Sequence, residues 1–292
     1  MDKIRIRVPA TSANLGSGFD CLGIALSVYN VFEFERLGCG VEFYGFDDKY
    51  ANMNNLSYVA YKSVCDRIGV DSFVRITTVD TGVPVSRGLG SSATLIVAGA
   101  VAANRLHGSV LSDNEIFGIC TDIEGHPDNI APALFGGLCA SISADGAPIA
   151  VKYSVSDKIF FTALVPDFEV LTKEARALVP SMVRREDAVF NMSRATVAPY
   201  AFEHARFDLI RLATQDRLHE RHKKKLFKNV SDVEACAYEC GAASFVISGA
   251  GSTCLCISSE PIADELNYRI SRLENNWIAL PLAVDTEGAK EA

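Results

Sequence analysis

The segment Pro84-Val85-Ser86-Arg87-Gly88-Leu89-Gly90-Ser91-Ser92-Ala93 constrains this chain most, because it delivers a Gly/Pro-rich loop into an apolar helix predicted over 91–106. Gly88 and Gly90 let the backbone turn and approach a ligand closely. Ser91 and Ser92 add hydroxyls, and the helix offers unpaired N–H groups and the positive end of its dipole. These features make a phosphate cradle; they equally suit a loop ahead of a serine-capped helix. Two rival phosphate motifs fit poorly. No GxxxxGK[ST] is present. Gly88-x-Gly90-x-x-Ala93 matches a dinucleotide fingerprint in letters only, since residues 80–87 separate it from the preceding strand and the nearest later acid, Asp113, sits in a capping box.

Strands and helices mix around this segment. Ile4, Ile6 and Val8 alternate with charged residues after Met1, which predicts a half-buried strand that Pro9 should end, with a small-residue polar loop over 10–20. Residues 28–35 and 73–79 read as further strands. Leu56, Val59, Ala60, Val64 and Cys65 give 55–68 the one-sided spacing of a helix closed by Gly69. Ser112 and Glu115 form a capping box that opens a helix ending near Gly125. Strands are expected in pairs over 139–153, then at 159–165, 244–247, 253–257 and 277–282, with helices between. Hairpins among the helices point to α+β rather than a doubly wound sheet. A chain of 292 residues exceeds what one core usually holds. We therefore expect two domains, 1–155 and 156–292.

Composition excludes several partners. At 49% hydrophobic and 22% charged the chain can bury enough surface to fold. Its net charge of −8 argues against a nucleic-acid binder. The longest apolar run, 95–103, is about half the ~20 residues a membrane helix needs, and the start has no apolar signal core. The nine cysteines lack zinc spacing and read as free thiols in a reducing cytoplasm.

A second constellation, Glu124-Gly125-His126-Pro127-Asp128-Asn129, places two acids, an imidazole and an amide at a helix end. A carboxylate beside a phosphate cradle suits Mg2+, which keeps several waters and takes one or two protein oxygens. The same residues also make an ordinary polar turn.

Four motifs in order carry a resemblance over nearly the whole chain: Pro9 to Asp20 (PATSANLGSGFD), Gly88 to Ala93 (GLGSSA), Glu124 to Asn129 (EGHPDN) and Ser248 to Thr253 (SGAGST). The set resembles the GHMP small-molecule kinases. Its first and third motifs resemble homoserine kinases in particular, as does the ending Asp285-Thr286-Glu287-Gly288-Ala289. The resemblance implies an amino-terminal domain like ribosomal protein S5 domain 2, a ferredoxin-like carboxy-terminal domain, and ATP in the cleft between them. It implies that the loop Ser86 to Ser92 (Ser86, Arg87, Gly88, Leu89, Gly90, Ser91, Ser92) wraps the phosphates with Pro84 also at the ATP site, that Ser92 and Glu124 hold Mg2+, and that Asn55 lies on the adenine side. Asn14 and Asp20 would hold the amino acid L-homoserine, Asp20 through its ammonium group. His126 and Asn129 would lie by the attacking hydroxyl, and Thr172 and Arg176, one helical turn apart, by the carboxylate. Taken alone, Thr172 and Arg176 read as an N-cap and an exposed arginine.

The chain departs from the family where a second carboxylate-binding arginine is common; here that position becomes Lys223, or shifts to Arg221. Lysine keeps the charge and loses the planar fork. Ser17 and Ser252 stand where proline is common. An amide at position 129 cannot take a proton, so orientation by Asn129 without a dedicated base is expected, with Asp20 the nearest alternative base. The implied reaction is ATP-dependent phosphorylation of homoserine in threonine biosynthesis, by a cytoplasmic monomer or homodimer. A kinase for mevalonate or shikimate and a non-catalytic sensor are the alternatives.

Overall fold

The computed structural model describes residues 2–274 and 276–292; Met1, at the head of the first expected strand, lies outside the described residues. The first half contains β1 (Lys3–Ala13), β2 (Leu22–Arg36), β3 (Val41–Tyr44), α1 (Leu56–Ile68), β4 (Val74–Thr81), α2 (Ser91–Leu106), α3 (Asp113–Glu124), α4 (Ile130–Phe135), β5 (Leu138–Ala144) and β6 (Ala147–Tyr153). The second contains β7 (Phe160–Pro166), α5 (Thr172–Ala177), α6 (Arg185–Glu203), α7 (Phe207–Ala213), α8 (Glu220–Lys223), α9 (Val230–Glu239), β8 (Ala242–Ile247), β9 (Cys254–Ser258), α10 (Ala263–Ile270) and β10 (Trp277–Leu282). A two-residue strand, β11 (Lys290–Glu291), closes the chain.

Two sheets result. The larger runs β11-β1-β2-β4-β3, with β5 and β6 branching from β2. The smaller runs β10-β7-β9-β8 and is antiparallel throughout. Its connectivity, strand–helices–strand–strand–helix–strand, is that of a split β-α-β unit. β11 returns to pair with β1, so the tail after β10 belongs to the first sheet.

Pro9 does not end the first strand. β1 continues to Ala13, and its register against β2 shifts between Pro9 and Ala10. A bulge is where a sheet tolerates a residue with no N–H, and it carries the small polar residues Thr11 and Ser12 into the interior. β3, α4 and β11 escape sequence reading because each is too short to show a period.

Three apolar clusters hold the molecule. One lies between the large sheet and helices α1 to α4, around Phe32, Phe34, Tyr61, Ile96 and Phe117. Another lines the far face of the small sheet, around Phe245, Leu266 and Trp277. The third is shared between the halves: Leu15, Ile24, Leu26 and Leu138 meet Phe161, Phe202, Val246 and Leu255. This shared core fixes one sheet against the other, so a cleft between them is already formed.

Gly99 shows how tightly α2 is seated. A β-carbon there would overlap the carbonyl oxygen of Ser57 in α1. Glycine inside a helix costs ~0.5–1 kcal/mol against alanine, and close helix contact explains its use. Gly99→Val should therefore destabilise the fold by about 1–3 kcal/mol and lower the melting temperature by several degrees in a thermal scan.

Candidate active site

The cleft gathers residues remote in sequence: Asn14, Gly88, Ser92, Glu124, His126, Asn129, Thr172, Arg176, Lys223 and Gly249 all line it. A wider cavity, about 870 Å³, opens between α7 and α9. Its acids already have partners, Glu234 with Lys224 at 2.6 Å and Asp216 with the backbone N–H groups that start α8. The cleft, by contrast, draws residues from all four sequence motifs.

The glycine loop is held by both halves. Leu89 O accepts from Thr11 N–H, Arg87 O from Thr253 N–H, and Gly88 O from Ser248 Oγ. A β-carbon on Gly88 would overlap the carbonyls of Ser248 and Gly251, and one on Gly90 would overlap Thr11 Oγ1. Both glycines also have positive φ, 78° and 69°. They are required by close backbone approach as much as by any ligand. Gly90 is the N-cap of α2, and no side chain caps it. The serine-cap reading is thus set aside, and the first N–H groups of α2 face the cleft beside Ser91 and Ser92.

Two expected ATP-site residues, Arg87 of the phosphate loop and Asn55 on the adenine side, turn elsewhere. The Arg87 guanidinium leaves the cleft to donate to Pro166 O and Asp167 O and to pair with Glu169 at 3.1 Å. It ties the loop to the second half. Asn55 is the N-cap of α1: its Oδ1 accepts from Ser57, and its Nδ2 donates to Tyr50 O. Pro84 and Leu89 shape the loop without lining the cleft, whereas Ser86 lines it.

Across from the cradle, α3 ends at Gly125 and hands the next residues to the cleft. Ser92 Oγ donates to Glu124 Oε1 at 2.6 Å. Burial raises the Glu124 carboxyl above its ordinary value against the opposing bond from Ser92, so a cation beside it would relieve the carboxylate. His126 Nδ1 lies 2.6 Å from Asp128 Oδ1. Burial alone would lower this imidazole, but the bond and charge of Asp128 outweigh it and leave it raised. Asn129 Oδ1 accepts from Thr11 Oγ1 at 2.7 Å, which turns its amide N–H groups away from β1. Thr11 and Asp128 lie inside the first and third motifs, where sequence reading gave them no role of their own; their place beside the site follows from the β1 bulge and from packing.

The last group is cationic. Arg176 grips Asp20 with two bonds, Nη1 to Oδ2 at 3.0 Å and Nη2 to Oδ1 at 2.7 Å. The Asp20 bond raises the guanidinium further, against burial. Thr172 lies one turn earlier on α5 and also lines the cleft; the cap of that helix is Leu171, not Thr172. Lys223 is 2% exposed and donates to Gly249 O at 2.8 Å, while Asn14 Nδ2 donates to the same carbonyl at 3.0 Å. Arg221 points instead toward Asp187, on the exposed side of α8. Position 223 is thus the one that reaches the cleft.

The His126–Asp128 contact has a direct readout. In a proton NMR titration, His126 should titrate above its ordinary 6.5, and in Asp128→Asn, with burial and the Arg176 charge opposed only by the smaller pull of Glu124, below it.

With this geometry in hand, the similarities are specific. Residues 55–137 match the family described as GHMP kinases N terminal domain. A homoserine kinase of Clostridium botulinum (strain Langeland / NCTC 10281 / Type F) is 39% identical over 288 residues, covering 98% of this chain and 97% of that one. The crystal structure of homoserine kinase from Cytophaga hutchinsonii superposes with a TM-score of 0.91 at 25% identity, covering 100% of this chain and 98% of that one. Mevalonate diphosphate decarboxylase from Staphylococcus aureus shares the fold alone, with a TM-score of 0.75 at 15% identity and coverage of 100% and 98%. The fold is the α+β GHMP kinase architecture. Matched along nearly its whole length to a relative 39% identical, this chain belongs to the homoserine kinase family of GHMP kinases.

Proposed function

We propose that this chain transfers the γ-phosphoryl group of ATP to the side-chain hydroxyl of L-homoserine, giving O-phospho-L-homoserine and ADP. The observation that carries the reading is the Asp20–Arg176 pair beside Lys223 at one side of the phosphate cradle. A zwitterionic amino acid supplies both partners this pair lacks when opened: an ammonium for Asp20 and a carboxylate for Arg176 and Lys223. Mevalonate and shikimate have no ammonium group and would leave Asp20 unmatched.

The site residues take these roles. The N–H groups at the start of α2, with Ser86, Gly88, Gly90, Ser91 and Ser92, receive the phosphates. Ser92 and Glu124 fit Mg2+: they offer a hydroxyl and one half-buried carboxylate 2.6 Å apart, and among the described residues no group of three His, Cys, Asp or Glu could hold a metal unaided. That donor set suits a cation that draws its remaining ligands from phosphate and water. When bound, Mg2+ would supply neutralisation of the phosphate charge. Asn14 and Thr172 complete the amino-acid pocket. Asn129, held by Thr11, orients the hydroxyl, with His126 next to it. The hydroxyl oxygen forms the new bond to phosphorus, the bond from phosphorus to the bridging oxygen breaks and that oxygen leaves with ADP, and the hydroxyl proton passes to the transferred phosphoryl group and on to solvent; alignment rather than a strong base drives the step.

Residues 1–155 form the nucleotide-binding unit in this reading, with β11 returning to it, and residues 156–292 supply the amino-acid cations. Among the described residues no helix is long and apolar enough to cross a membrane. The cysteines are free thiols, which supports a cytoplasmic setting.

An ADP-release assay with homoserine, mevalonate, shikimate and galactose tests the assignment. ADP should appear with homoserine alone. Turnover of another alcohol in its place would move the chain to that substrate, and no turnover with any would make it a sensor. Within the site, Asn129→Ala should lower kcat by about 100-fold, whereas Asp20→Asn should mainly raise the KM for homoserine, by about 10- to 100-fold. The reverse pattern would make Asp20 the base.

Lys223 adds a pH dependence. Burial first, then the neighbouring Arg176 charge, push its ammonium down to about 8. The charge that attracts the carboxylate is therefore lost as pH rises through that value, and the KM for homoserine should climb. In Lys223→Arg the climb should flatten. The titration of homoserine itself is common to both proteins, so their KM ratio isolates the lysine.

A further inference from the structure

The loop that carries Asn14 and Asp20 is held in an uncommon backbone. Asn14, Leu15, Gly16 and Asp20 all have positive φ, at 73°, 44°, 75° and 58°. Non-glycine residues keep that conformation only where the surroundings enforce it. Asn14 Oδ1 accepts from Asp20 N–H, Ser17 Oγ donates to Ala213 O, and Asn191 Nδ2 donates to Ser17 O. At the centre of the loop, Gly16 O faces His219 Nε2 at 2.8 Å.

His219 is fully buried. A carbonyl can only accept, so Nε2 carries the proton. Its Nδ1 is buried with no partner among the described residues, which is the arrangement of a neutral ring. Burial, and then the charge of Lys223, hold it neutral by lowering its pKa to about 4. Asp216, 3.7 Å from Nε2, spends its carboxylate on the backbone N–H groups of Leu218, His219 and Glu220. The imidazole face stacks on Phe19, with centroids 4.8 Å apart and planes at 25°. Phe19 in turn lies under both cations of the pocket: Arg176 is 5.8 Å and Lys223 5.1 Å from its ring centroid.

We propose that His219 is a positioning residue for the amino-acid pocket. One ring nitrogen fixes the loop at Gly16 and the ring face fixes Phe19. Phe19, next in sequence to Asp20, sets where Arg176 and Lys223 rest. His219 touches neither substrate; it acts through the loop and the aromatic floor. This inference rests on the homoserine kinase reading, and it makes the effect selective for the amino acid over ATP.

The test is steady-state kinetics on His219→Phe, which keeps a stacking ring and loses the donor, and on His219→Gln, which can restore an N–H to Gly16. His219→Phe should raise the KM for homoserine by about tenfold or more while kcat and the KM for ATP stay within about twofold, and His219→Gln should recover part of the loss. A merely structural role would lower the melting temperature and the active fraction with KM unchanged. If either His219 variant fails to fold, Phe19→Leu removes the same floor from the other side and should raise the homoserine KM selectively. An unchanged homoserine KM in the folded variants, or a KM for ATP rising in step with it, would overturn the proposal. Wild-type protein that does not turn over homoserine would instead defeat the reading beneath it.

Discussion

The glycine loop before α2 is gripped from both sides, and the rest of the site depends on that grip. Thr11 of β1 holds Leu89, Thr253 holds Arg87, Ser248 holds Gly88, and the Arg87 guanidinium reaches across to Pro166 and Asp167. A phosphate cradle is useful only if its N–H groups stay aimed when an anion arrives. Here the aim is set by close contacts, with the Ser248 and Gly251 backbone at Gly88 and with the Thr11 hydroxyl at Gly90, that admit no side chain at either glycine. The two halves then meet over a shared apolar core, so Arg176 and Lys223 of the second half stand at a fixed distance from the glycine loop of the first.

Much of this was legible where the chemistry is local. The bounds of α2, Ser91–Leu106, follow from an apolar run that starts after a glycine; the capping box of α3 follows from Ser112 and Glu115; Gly69 announces the end of α1 as its cap. Local reasoning failed where tertiary contacts decided. Pro9 suggested a strand end, and the bulge beside it lets the strand continue. Arg87 suggested a phosphate ligand by its place in the loop, yet its partners are carbonyls about 80 residues later, which no spacing rule could reveal.

Roles that act through another residue were the least visible. Thr11 and Asp128 lie inside two of the motifs without a role of their own there, and His219 lies outside the four; each matters by what it holds: the Asn129 amide, the His126 ring, the Gly16 carbonyl. Net charge was similarly uninformative about the ligand. The chain carries −8 overall, while the pocket sets Arg176 and Lys223 close to a helix N-terminus. Local donors decide anion binding, and distant surface acids are screened by salt.

The central claim is that the Asp20–Arg176 pair is a closed form of an amino-acid site, opened when a zwitterion replaces each partner. Calorimetric binding of homoserine against two analogues tests it most directly: γ-hydroxybutyrate, which lacks the ammonium, and aminopropanol, which lacks the carboxylate. Each lost charge-assisted contact should weaken binding by about 10- to 100-fold, so both analogues should bind far more weakly than homoserine. An analogue without the ammonium that bound as tightly as homoserine would contradict the account, because Asp20 would then have no part in recognising the substrate.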